Sequence, residues 1–377
     1  MQKKSAKKAH AKQPRFFKAL ERSLKHRLAL SLPAAAKPGK LRLAVTRQCN
    51  SRCLMCNIWQ QNGQGHADGG ELSLEEYDQL FSTNRVYLSR LNHLSLTGGE
   101  PTLRPDLLEL VELIGRHHPG IALNLNTNAF NQEPLMDFVK QAVNLTRRLT
   151  VMVSLDGMGD SHDQVRGVRG AFERTMRSLE ALLEFRQAGG KIRLAINHVF
   201  TPCNYQDYDA VFQYCHDNNL GLTSIVMQQG KSFANEGLDL SLGDPAAKHL
   251  IEVFERRIAE NGRTMELKDI EVLEQLRGMR RDYRCWAGKA LLLIDEQGGV
   301  YPNAGCPEDW RFGNVRQHDY NLVKLLRTKH AAQVFKQVKE CRKCRLACEI
   351  LTTLRGPEAL AGYGKLRRYA KANNHRA

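Results

Sequence analysis

Three cysteines lie close together in the first part of this 377-residue chain: Cys49, Cys53 and Cys56, in the stretch CNSRCLMCNIW. Thiolate ligands favour zinc, copper(I) or an iron–sulfur cluster, so the spacing indicates a metal site. Structural zinc normally takes four protein ligands, and a local set of three leaves one position open. A cubane cluster with one iron that lacks a cysteine can offer that iron to a small chelating molecule. We therefore predict that the open position is functional.

A second group of cysteines lies in the last quarter of the chain: Cys285, Cys306, Cys341, Cys344 and Cys348. Five thiols are too few for two fully ligated clusters, so we predict one further metal centre. Four thiolates satisfy zinc as well as they satisfy an iron–sulfur cluster, and both alternatives stay open. The remaining cysteines, Cys203 and Cys215, have no partner at motif spacing and are expected to be small buried apolar residues.

The net charge of +16 is concentrated at the two ends of the chain. Residues 1–27 carry +9, residues 341–377 carry +7, and residues 28–340 are neutral. The total charge therefore does not imply a basic active-site groove, whereas basic tails that touch an anionic surface agree with it.

The composition is that of a globular protein without a membrane span. No stretch approaches the roughly 18 uninterrupted apolar residues that a spanning helix needs. The segment RLALSLPAAAK follows a basic stretch, but Ser31 and Pro33 break its short apolar run, so we interpret it as a linker and not as a signal peptide. A cytoplasmic location with reduced cysteines follows as the expectation.

Six β-prone segments alternate with amphipathic helical patterns. The predicted strands are Lys40–Thr46, Leu91–Gly99, Ile121–Asn128, Leu149–Gly157, Ile192–Phe200 and Leu222–Gln228. This alternation predicts an α/β fold with a parallel sheet, either a partial barrel or an open doubly wound sheet. Ligands bind at the carboxyl ends of the strands in both architectures.

Polar residues and glycines recur at those strand ends. They are Gly98, Gly99 and Glu100, then Asn126 and Asn128, then Ser154 and Asp156, and finally Asn197 and His198. Any one of them can be a turn or helix cap, but their recurrence at successive strand ends indicates a binding site.

The segment CWAGKALLLIDEQGGVYPNAGC, residues 285–306, predicts a β-hairpin of alternating strands around the turn DEQGG. With the strands above, it suggests a basic amino-terminal tail or amphipathic helix (1–39), a core (40–265), a small α+β domain (280–350) and a basic carboxyl-terminal tail (351–377). The tail contains Tyr369 among basic residues; contact with RNA is one alternative and a solvated tail is the expected state, so nucleic-acid binding has no strong support.

The amino-terminal stretch RFFKALERSLKHR places Phe16, Leu20 and Leu24 on one helical face. Such a helix can lie on an anionic membrane surface. It can equally dock its apolar stripe on the protein's own barrel, which is the simpler expectation.

The three-cysteine loop after the first strand resembles the motif of radical S-adenosylmethionine (SAM) enzymes. The segment LTGGEP, residues 96–101, resembles the family's glycine-rich segment, and NTN (126–128), SLDG (154–157) and Arg166 resemble further family segments. The resemblance covers residues 40–228. It implies a partial parallel (β/α)6 TIM-like barrel, a [4Fe–4S] cluster on Cys49, Cys53 and Cys56, and SAM bound at the open iron.

The resemblance also assigns SAM contacts. It implies that Gly98, Gly99 and Glu100 contact the methionine amino group, that Asn126, Asn128, Ser154, Asp156 and Arg166 belong to segments near the ribose and carboxylate, and that Asn197 lies near the adenine. The implied reaction is reductive cleavage of SAM and hydrogen-atom abstraction by a 5′-deoxyadenosyl radical, with a flavodoxin- or ferredoxin-type electron donor. No substrate-specific catalytic residue is assigned.

The second cysteine group resembles the SPASM or twitch auxiliary-cluster domain of some radical SAM enzymes. The family pattern places a cysteine directly after VYP, where this chain has Asn303 and reaches Cys306 three residues later. The resemblance implies one auxiliary [4Fe–4S] cluster, for which Cys285, Cys306, Cys341 and Cys344 are the favoured ligands and Cys348 is a substitute or an accessory thiol.

We therefore predict a radical SAM enzyme that acts on a small-molecule or peptide substrate by oxidation, epimerisation or bond formation. No added peptide-binding domain is apparent before residue 40, which weakens the peptide alternative without excluding it. The alternative of another class is a non-catalytic iron–sulfur or zinc protein whose basic tails bind nucleic acid or membrane.

Overall fold

A computed structural model describes residues 13–31, 36–62, 70–261 and 266–374. These residues form nine strands: β1 (Lys40–Thr46), β2 (His93–Gly98), β3 (Ala122–Thr127), β4 (Arg148–Ser154), β5 (Ile192–Phe200), β6 (Gly221–Val226), β7 (Leu291–Ile294), β8 (Gly299–Tyr301) and β9 (Gly313–Asn314). The helices that they form are α1 (Gln13–Ser31), α2 (Leu74–Thr83), α3 (Leu107–His117), α4 (Gln132–Leu145), α5 (Asp160–Arg166), α6 (Ala171–Gln187), α7 (Tyr208–Asp217), α8 (Asp244–Asn261), α9 (Leu267–Leu276), α10 (Leu322–Leu326), α11 (Lys329–Glu340), α12 (Ala347–Leu354) and α13 (Ala359–Asn374).

The strands form one sheet in the order β6-β5-β4-β3-β2-β1-β7-β8-β9. The first six strands are parallel and lie next to each other in chain order. β6 and β9 remain edges, so the sheet does not close into a complete barrel. All six predicted strands are present, and β1 and β5 have the predicted bounds.

Alternating side chains divide the sheet into two faces. Leu43, Leu96, Leu125, Val151 and Ile196 point to one face, where they are fully buried with residues of the surrounding helices. A doubly wound sheet would reverse its strand order and carry helices on both faces. The sequential order and the single helical layer therefore confirm the partial (β/α)6 barrel. We call the opposite face the inner face.

The predicted hairpin is present, but it belongs to the main sheet. β7 pairs with β1 in parallel and with β8 in the antiparallel sense. The prediction of alternating strands is wrong for β7, because all four of its residues are buried. A strand inserted between β1 and β8 has neighbours on both edges and is covered on both faces, so it contains no exposed position.

The amino-terminal helix α1 packs on the carboxyl-terminal helices and not on the barrel, and only part of the predicted stripe contacts them. Ser23 is 2% exposed and donates to the Pro357 carbonyl at 2.6 Å, and Nε of Arg27 donates to the same carbonyl at 2.8 Å. The ring of Phe16 lies 6.0 Å from that of Tyr363 on α13, whereas Leu24 is 60% exposed and is not part of the docking face. Contact of α1 with a membrane receives no support. No described helix has the length and apolarity of a membrane span.

The linker interpretation of RLALSLPAAAK is wrong for residues 27–31, which continue α1, and residues 32–35 lie outside the described part of the chain. Cys203 is exposed and not buried as expected, whereas Cys215 is buried.

The carboxyl-terminal segment is not the solvated tail that we expected. Lys365 on α13 is fully buried, and its Nζ lies 2.8 Å from Glu271 and 2.9 Å from Asp282, with Glu274 also in contact. A buried ammonium group must be paired, and these three carboxylates pair it. The same ammonium occupies the place that a metal ion would need among the three acids. α13 is therefore part of the folded structure.

We expect Lys365→Met to lower the free energy of unfolding by about 3–5 kcal/mol, because the buried Glu271 and Glu274 then share Arg345 as their one remaining cation among the described residues. Urea denaturation followed by circular dichroism measures this change. Arg368→Met is the matched control: Arg368 lies on the same helix and contacts the same Asp282 at 3.5 Å, but its side chain is 62% exposed. A surface pair contributes about 0–1 kcal/mol. Equal effects of the two substitutions would contradict the prediction.

Candidate active site

The three-cysteine loop leaves the carboxyl end of β1 and is held at its start by Asn62. The Cys49 N–H donates to Oδ1 of Asn62 at 3.1 Å, and Nδ2 of Asn62 donates to the Cys49 carbonyl at 2.8 Å. The Cys56 N–H donates to the Cys53 carbonyl at 3.1 Å, so the loop turns back on itself. This turn brings the three predicted ligands together.

Two thiols of this loop, those of Cys49 and Cys56, are strongly biased against ionisation without a metal. Burial, together with the neighbouring Cys53, raises the pKa of each to about 12. A bound metal ion reverses this balance, because a coordinated thiol is deprotonated outright. Three neighbouring, half-buried thiols in one loop therefore fit a metal cluster better than a free nucleophile.

Arg166 is the positive charge beside this loop. Its Nη1 lies 3.5 Å from Sγ of Cys53, and its Nη2 lies 2.5 Å from Oδ2 of Asp156. Burial disfavours the charged guanidinium, but Asp156 and the Cys53 thiolate more than offset this and raise the pKa of Arg166 above its usual range. Nε of Arg166 is buried without a hydrogen-bond partner among the described residues. The side chain therefore retains a donor next to the thiols.

The end of α5 holds the loop through backbone hydrogen bonds. The Arg52 N–H donates to the Arg166 carbonyl at 2.8 Å, and the Leu54 N–H donates to the Val165 carbonyl at 3.0 Å. Gly167 follows with φ +64°, and a Cβ placed there would lie 2.2 Å from the Arg52 carbonyl oxygen. Only glycine allows this approach. The resemblance in sequence identified Arg166 but not Gly167, although a glycine directly after this arginine was a signal for a close backbone contact.

Gly98 and Gly99 permit close contact between the end of β2 and the loop. A Cβ on Gly98 would lie 2.2 Å from the Thr46 carbonyl oxygen, and one on Gly99 would lie 2.1 Å from the Gln48 carbonyl oxygen. The Gly99 N–H donates to Thr46 at 2.7 Å. These predicted cofactor-binding glycines thus have a packing reason of their own.

Glu100 is buried at the junction of β2 and β3. Its Oε1 accepts from the hydroxyls of Thr102 at 2.7 Å and Thr127 at 2.8 Å, and its Oε2 accepts from the Asn128 N–H at 2.7 Å. Burial raises the pKa of this carboxyl, whereas these hydrogen bonds lower it. Both oxygens thus connect strand ends, and Oε2 retains a free lone pair for a further donor.

The other predicted SAM contacts divide between the loop and the inner face. Nδ2 of Asn128 donates to Oδ1 of Asn50 in the cysteine loop at 2.7 Å. Nδ2 of Asn126 donates to the Ser95 hydroxyl at 2.8 Å, so this amide is turned towards β2. Ser154 and Asn197 are register partners on β4 and β5 and lie side by side on the inner face. Oδ1 of Asp156 accepts from the Val199 N–H, and its Oδ2 forms an ion pair with Arg166.

A short segment that sequence reasoning missed connects the two cysteine groups; we call residues 230–235 the brace. At one end, the Lys231 N–H donates to the Cys306 carbonyl at 3.1 Å. At the other, the Phe233 carbonyl accepts from the Asn57 N–H at 2.8 Å, and Nδ2 of the fully buried Asn235 donates to the Met55 carbonyl at 2.8 Å. The sequence contains no motif that marks this role.

Four of the five carboxyl-terminal cysteines line one cavity: Cys285, Cys306, Cys341 and Cys344. Burial raises the pKa of Cys344 to about 12 and also raises that of Cys285 and Cys306. Cys348 does not line this cavity, and its thiol lies 3.7 Å from Oδ1 of Asn303. The structure therefore assembles the four favoured residues and leaves Cys348 outside.

Arg281 and Asn303 complete the surroundings of this cavity. The buried Arg281 guanidinium donates to the carbonyls of Cys341 at 2.6 Å and Cys344 at 3.2 Å, which holds both cysteines in one turn. Asn303 lines the cavity, and its buried Nδ2 has no partner among the described residues. A cluster sulfide would satisfy such an orphaned donor, so the cavity fits an iron–sulfur group. Arg281 carried no sequence signal.

Comparisons with known proteins agree with this arrangement. Residues 43–228 match the model of the radical SAM superfamily. The chain is 25% identical to the mycofactocin maturase MftC of Mycobacterium tuberculosis, over 81% of this chain and 76% of that protein. It is also 25% identical to the AdoMet-dependent heme synthase of Oleidesulfovibrio alaskensis, over 78% and 80% of the two chains. The solved structure of native anSMEcpe with bound AdoMet aligns with a TM-score of 0.60 at 18% identity, over 90% of this chain and all of that one.

The fold, the three-cysteine loop and the family match define a radical SAM enzyme. The chain belongs to the radical SAM superfamily, whose members use a [4Fe–4S] cluster and SAM. The similarity does not support the alternative of a non-catalytic zinc or iron–sulfur protein.

We expect Gly167→Ala to lower the iron bound after anaerobic reconstitution from about eight to about four atoms per chain, on the basis of two cubane clusters. The added Cβ displaces the Arg52 carbonyl and with it the cysteine loop. Gly170→Ala is the matched control, because Gly170 also has positive φ (+72°) but a Cβ there meets no atom within 4 Å. Iron analysis and visible absorption measure the outcome. Equal iron content in the two variants would contradict the prediction.

Cys344→Ser and Cys348→Ser test the second cavity. We expect Cys344→Ser to lose about four irons per chain and Cys348→Ser to retain about eight, because Cys344 lines the cavity and Cys348 does not. Metal analysis of the reconstituted proteins measures their iron and zinc contents. A content of one zinc and about four irons in the unaltered protein would favour the zinc site instead.

Proposed function

We propose that this enzyme cleaves SAM reductively and abstracts a hydrogen atom from a peptide or small-molecule substrate held at the inner face, with Cys49, Cys53 and Cys56 as the cluster ligands. The observation that carries this proposal is the placement of three half-buried thiols in one loop beside the Arg166–Asp156 pair at the carboxyl ends of the strands. When bound, the cluster supplies the electron that cleaves SAM to the 5′-deoxyadenosyl radical.

The chain's own residues bind and orient SAM in this proposal. Oε2 of Glu100 accepts a hydrogen bond from the methionine amino group, next to the backbone of Gly98 and Gly99. Arg166 binds a negatively charged group near Cys53. Its Nε supports this role, because it is a donor without a partner among the described residues and lies beside the thiols. Ser154 and Asn197 offer polar groups on the inner face for the nucleoside. The segments of Asn126, Asn128 and Asp156 shape this end of the barrel.

We further propose that Cys285, Cys306, Cys341 and Cys344 hold an auxiliary [4Fe–4S] cluster within a domain of residues 280–350. The shared cavity and the orphaned Nδ2 of Asn303 support this assignment. We retain the core as residues 40–265.

The class of substrate is a further part of the proposal. Similarity to a maturase supports a peptide, and similarity of comparable extent to a heme synthase supports a small molecule. The polar inner face accepts either, because it presents hydrogen-bonding side chains instead of a closed apolar pocket.

A flavodoxin- or ferredoxin-type protein is the proposed electron donor. Arg280, Arg342 and Lys343 line the surface beside Cys341 together with the single acid Glu340, and this net basic surface complements an acidic carrier. We also propose a cytoplasmic location, because all ten cysteines are free thiols and metal ligation requires reduced cysteines.

The test is anaerobic reconstitution with iron and sulfide, reduction with dithionite, and chromatography of the products of SAM. We expect 5′-deoxyadenosine from the unaltered protein and none above background from Cys53→Ala, because that variant lacks one of the three ligands. Cys215→Ala is the control, since Cys215 is buried on α7 and belongs to neither of the two cysteine groups. Formation of 5′-deoxyadenosine that persists in Cys53→Ala would reject the ligand assignment.

A further inference from the structure

The inner face of the barrel is rich in cations and lacks acids. Side chains alternate between the two faces along each strand, and Leu41, Leu43, Leu94 and their counterparts face the helices. The residues between them therefore face inward. The inward residues of β1–β5 are Lys40, Arg42, Ala44, Thr46, His93, Ser95, Thr97, Ala122, Asn124, Asn126, Arg148, Thr150, Met152, Ser154, Arg193, Ala195 and Asn197. None of them is Asp or Glu.

The cations occupy two adjacent layers of the sheet register. Lys40, His93, Ala122 and Arg148 are successive partners across β1–β4 in the first layer. Arg42, Ser95, Asn124, Thr150 and Arg193 are successive partners across β1–β5 in the second. Layers of this kind lie about 7 Å apart, because inward residues recur every second position.

Among the described residues no carboxylate pairs with these cations, although the Cys348 thiol lies close enough to favour the charged form of Lys40. Among the described residues, Lys40, Arg42, Arg148 and Arg193 form no ion pair or hydrogen bond through their side chains, unlike the buried Lys365 and Arg345, which carboxylates surround. Burial, together with the nearby Lys40, Arg148 and Arg42, lowers the pKa of His93 to about 4. Lys40, Arg42 and Arg148 act on one another from half-buried positions, whereas Arg193 is exposed. This accumulation of positive charge is unfavourable unless an anion binds there.

We propose that Lys40, Arg42, Arg148 and Arg193, here called the inner basic surface, bind carboxylate or phosphate groups of the substrate. The inference rests on the proposed function and names the chemistry of its substrate. Arginine side chains bind both anions in bidentate fashion, and two of them in one layer favour a ligand with at least two anionic groups.

The position of the surface also sets the length of the substrate. Arg42 lies four residues before Thr46, so its layer is about 13 Å from the strand ends where the cysteine loop begins. The anionic groups are therefore held away from the carbon that loses its hydrogen. A small substrate whose reacting carbon lies next to its carboxylate would not reach both places. An extended substrate would, for example a peptide with acidic side chains or a long polycarboxylate.

Calorimetry with the reconstituted full-length protein tests this inference. The probes are citrate and a hexaglutamate peptide, each compared with its neutral amide, citric triamide and hexaglutamine. We expect at least one anionic probe to bind about tenfold or more tightly than its amide, and Arg42→Gln/Arg193→Gln to abolish that preference. Arg174→Gln/Arg177→Gln removes two exposed charges from α6 and is expected to retain it. Citrate alone would indicate a small anion, and hexaglutamate alone an acidic peptide.

A measurement on the unaltered protein covers the case in which the double variant fails to fold. Phenylglyoxal modifies accessible arginines, and mass spectrometry should show that the bound probe protects Arg42 and Arg193 but not Arg174. No preference for either anionic probe, or a preference that persists in Arg42→Gln/Arg193→Gln, would overturn the inference. So would equal modification of Arg42 with and without the probe.

The two proposals fail in different ways. Absence of 5′-deoxyadenosine from the unaltered protein would reject the proposed function. Calorimetry would still test whether the inner basic surface binds anions selectively. Normal 5′-deoxyadenosine formation without selective anion binding would reject only the inner basic surface.

Discussion

The buried pair of Arg166 and Asp156 is the interaction on which the site depends. Asp156 joins the end of β4 to the Val199 N–H of β5, and Arg166 joins the end of α5 to the cysteine loop. Each charge would be costly to bury alone, so each requires the other. Together they place the loop against the strand ends, and the glycines at positions 98, 99 and 167 allow the backbones to approach closely enough.

Sequence reasoning could predict the parts that have local patterns. The alternation of strands and helices predicts six parallel strands, and the spacing of Cys49, Cys53 and Cys56 predicts a ligand set. The failures concern long-range packing. α1 docks through Ser23 instead of Leu24, because it packs on distant carboxyl-terminal residues. The local hydrophobic pattern of α1 contains no information about the shape of that partner. Likewise, β7 is uniformly buried because it pairs with a strand some 250 residues earlier.

Charge counting misled in two places for the same reason. Residues 28–340 are neutral in total, yet alternation along the strands separates cations to the inner face and leaves acids elsewhere. The basic carboxyl-terminal segment looked solvated, yet three acids from other elements surround Lys365. Net charge averages over space, whereas a binding site depends on which residues share a face.

The brace couples the two cysteine groups mechanically. Within six residues it bonds to the carbonyl of Cys306 and to the turn that contains Met55 and Asn57. Neither loop can swing outward without straining these bonds or breaking them. The two loops therefore behave as one cooperative unit of local unfolding, and an opening fluctuation that starts at either centre exposes the other to solvent and oxygen as well.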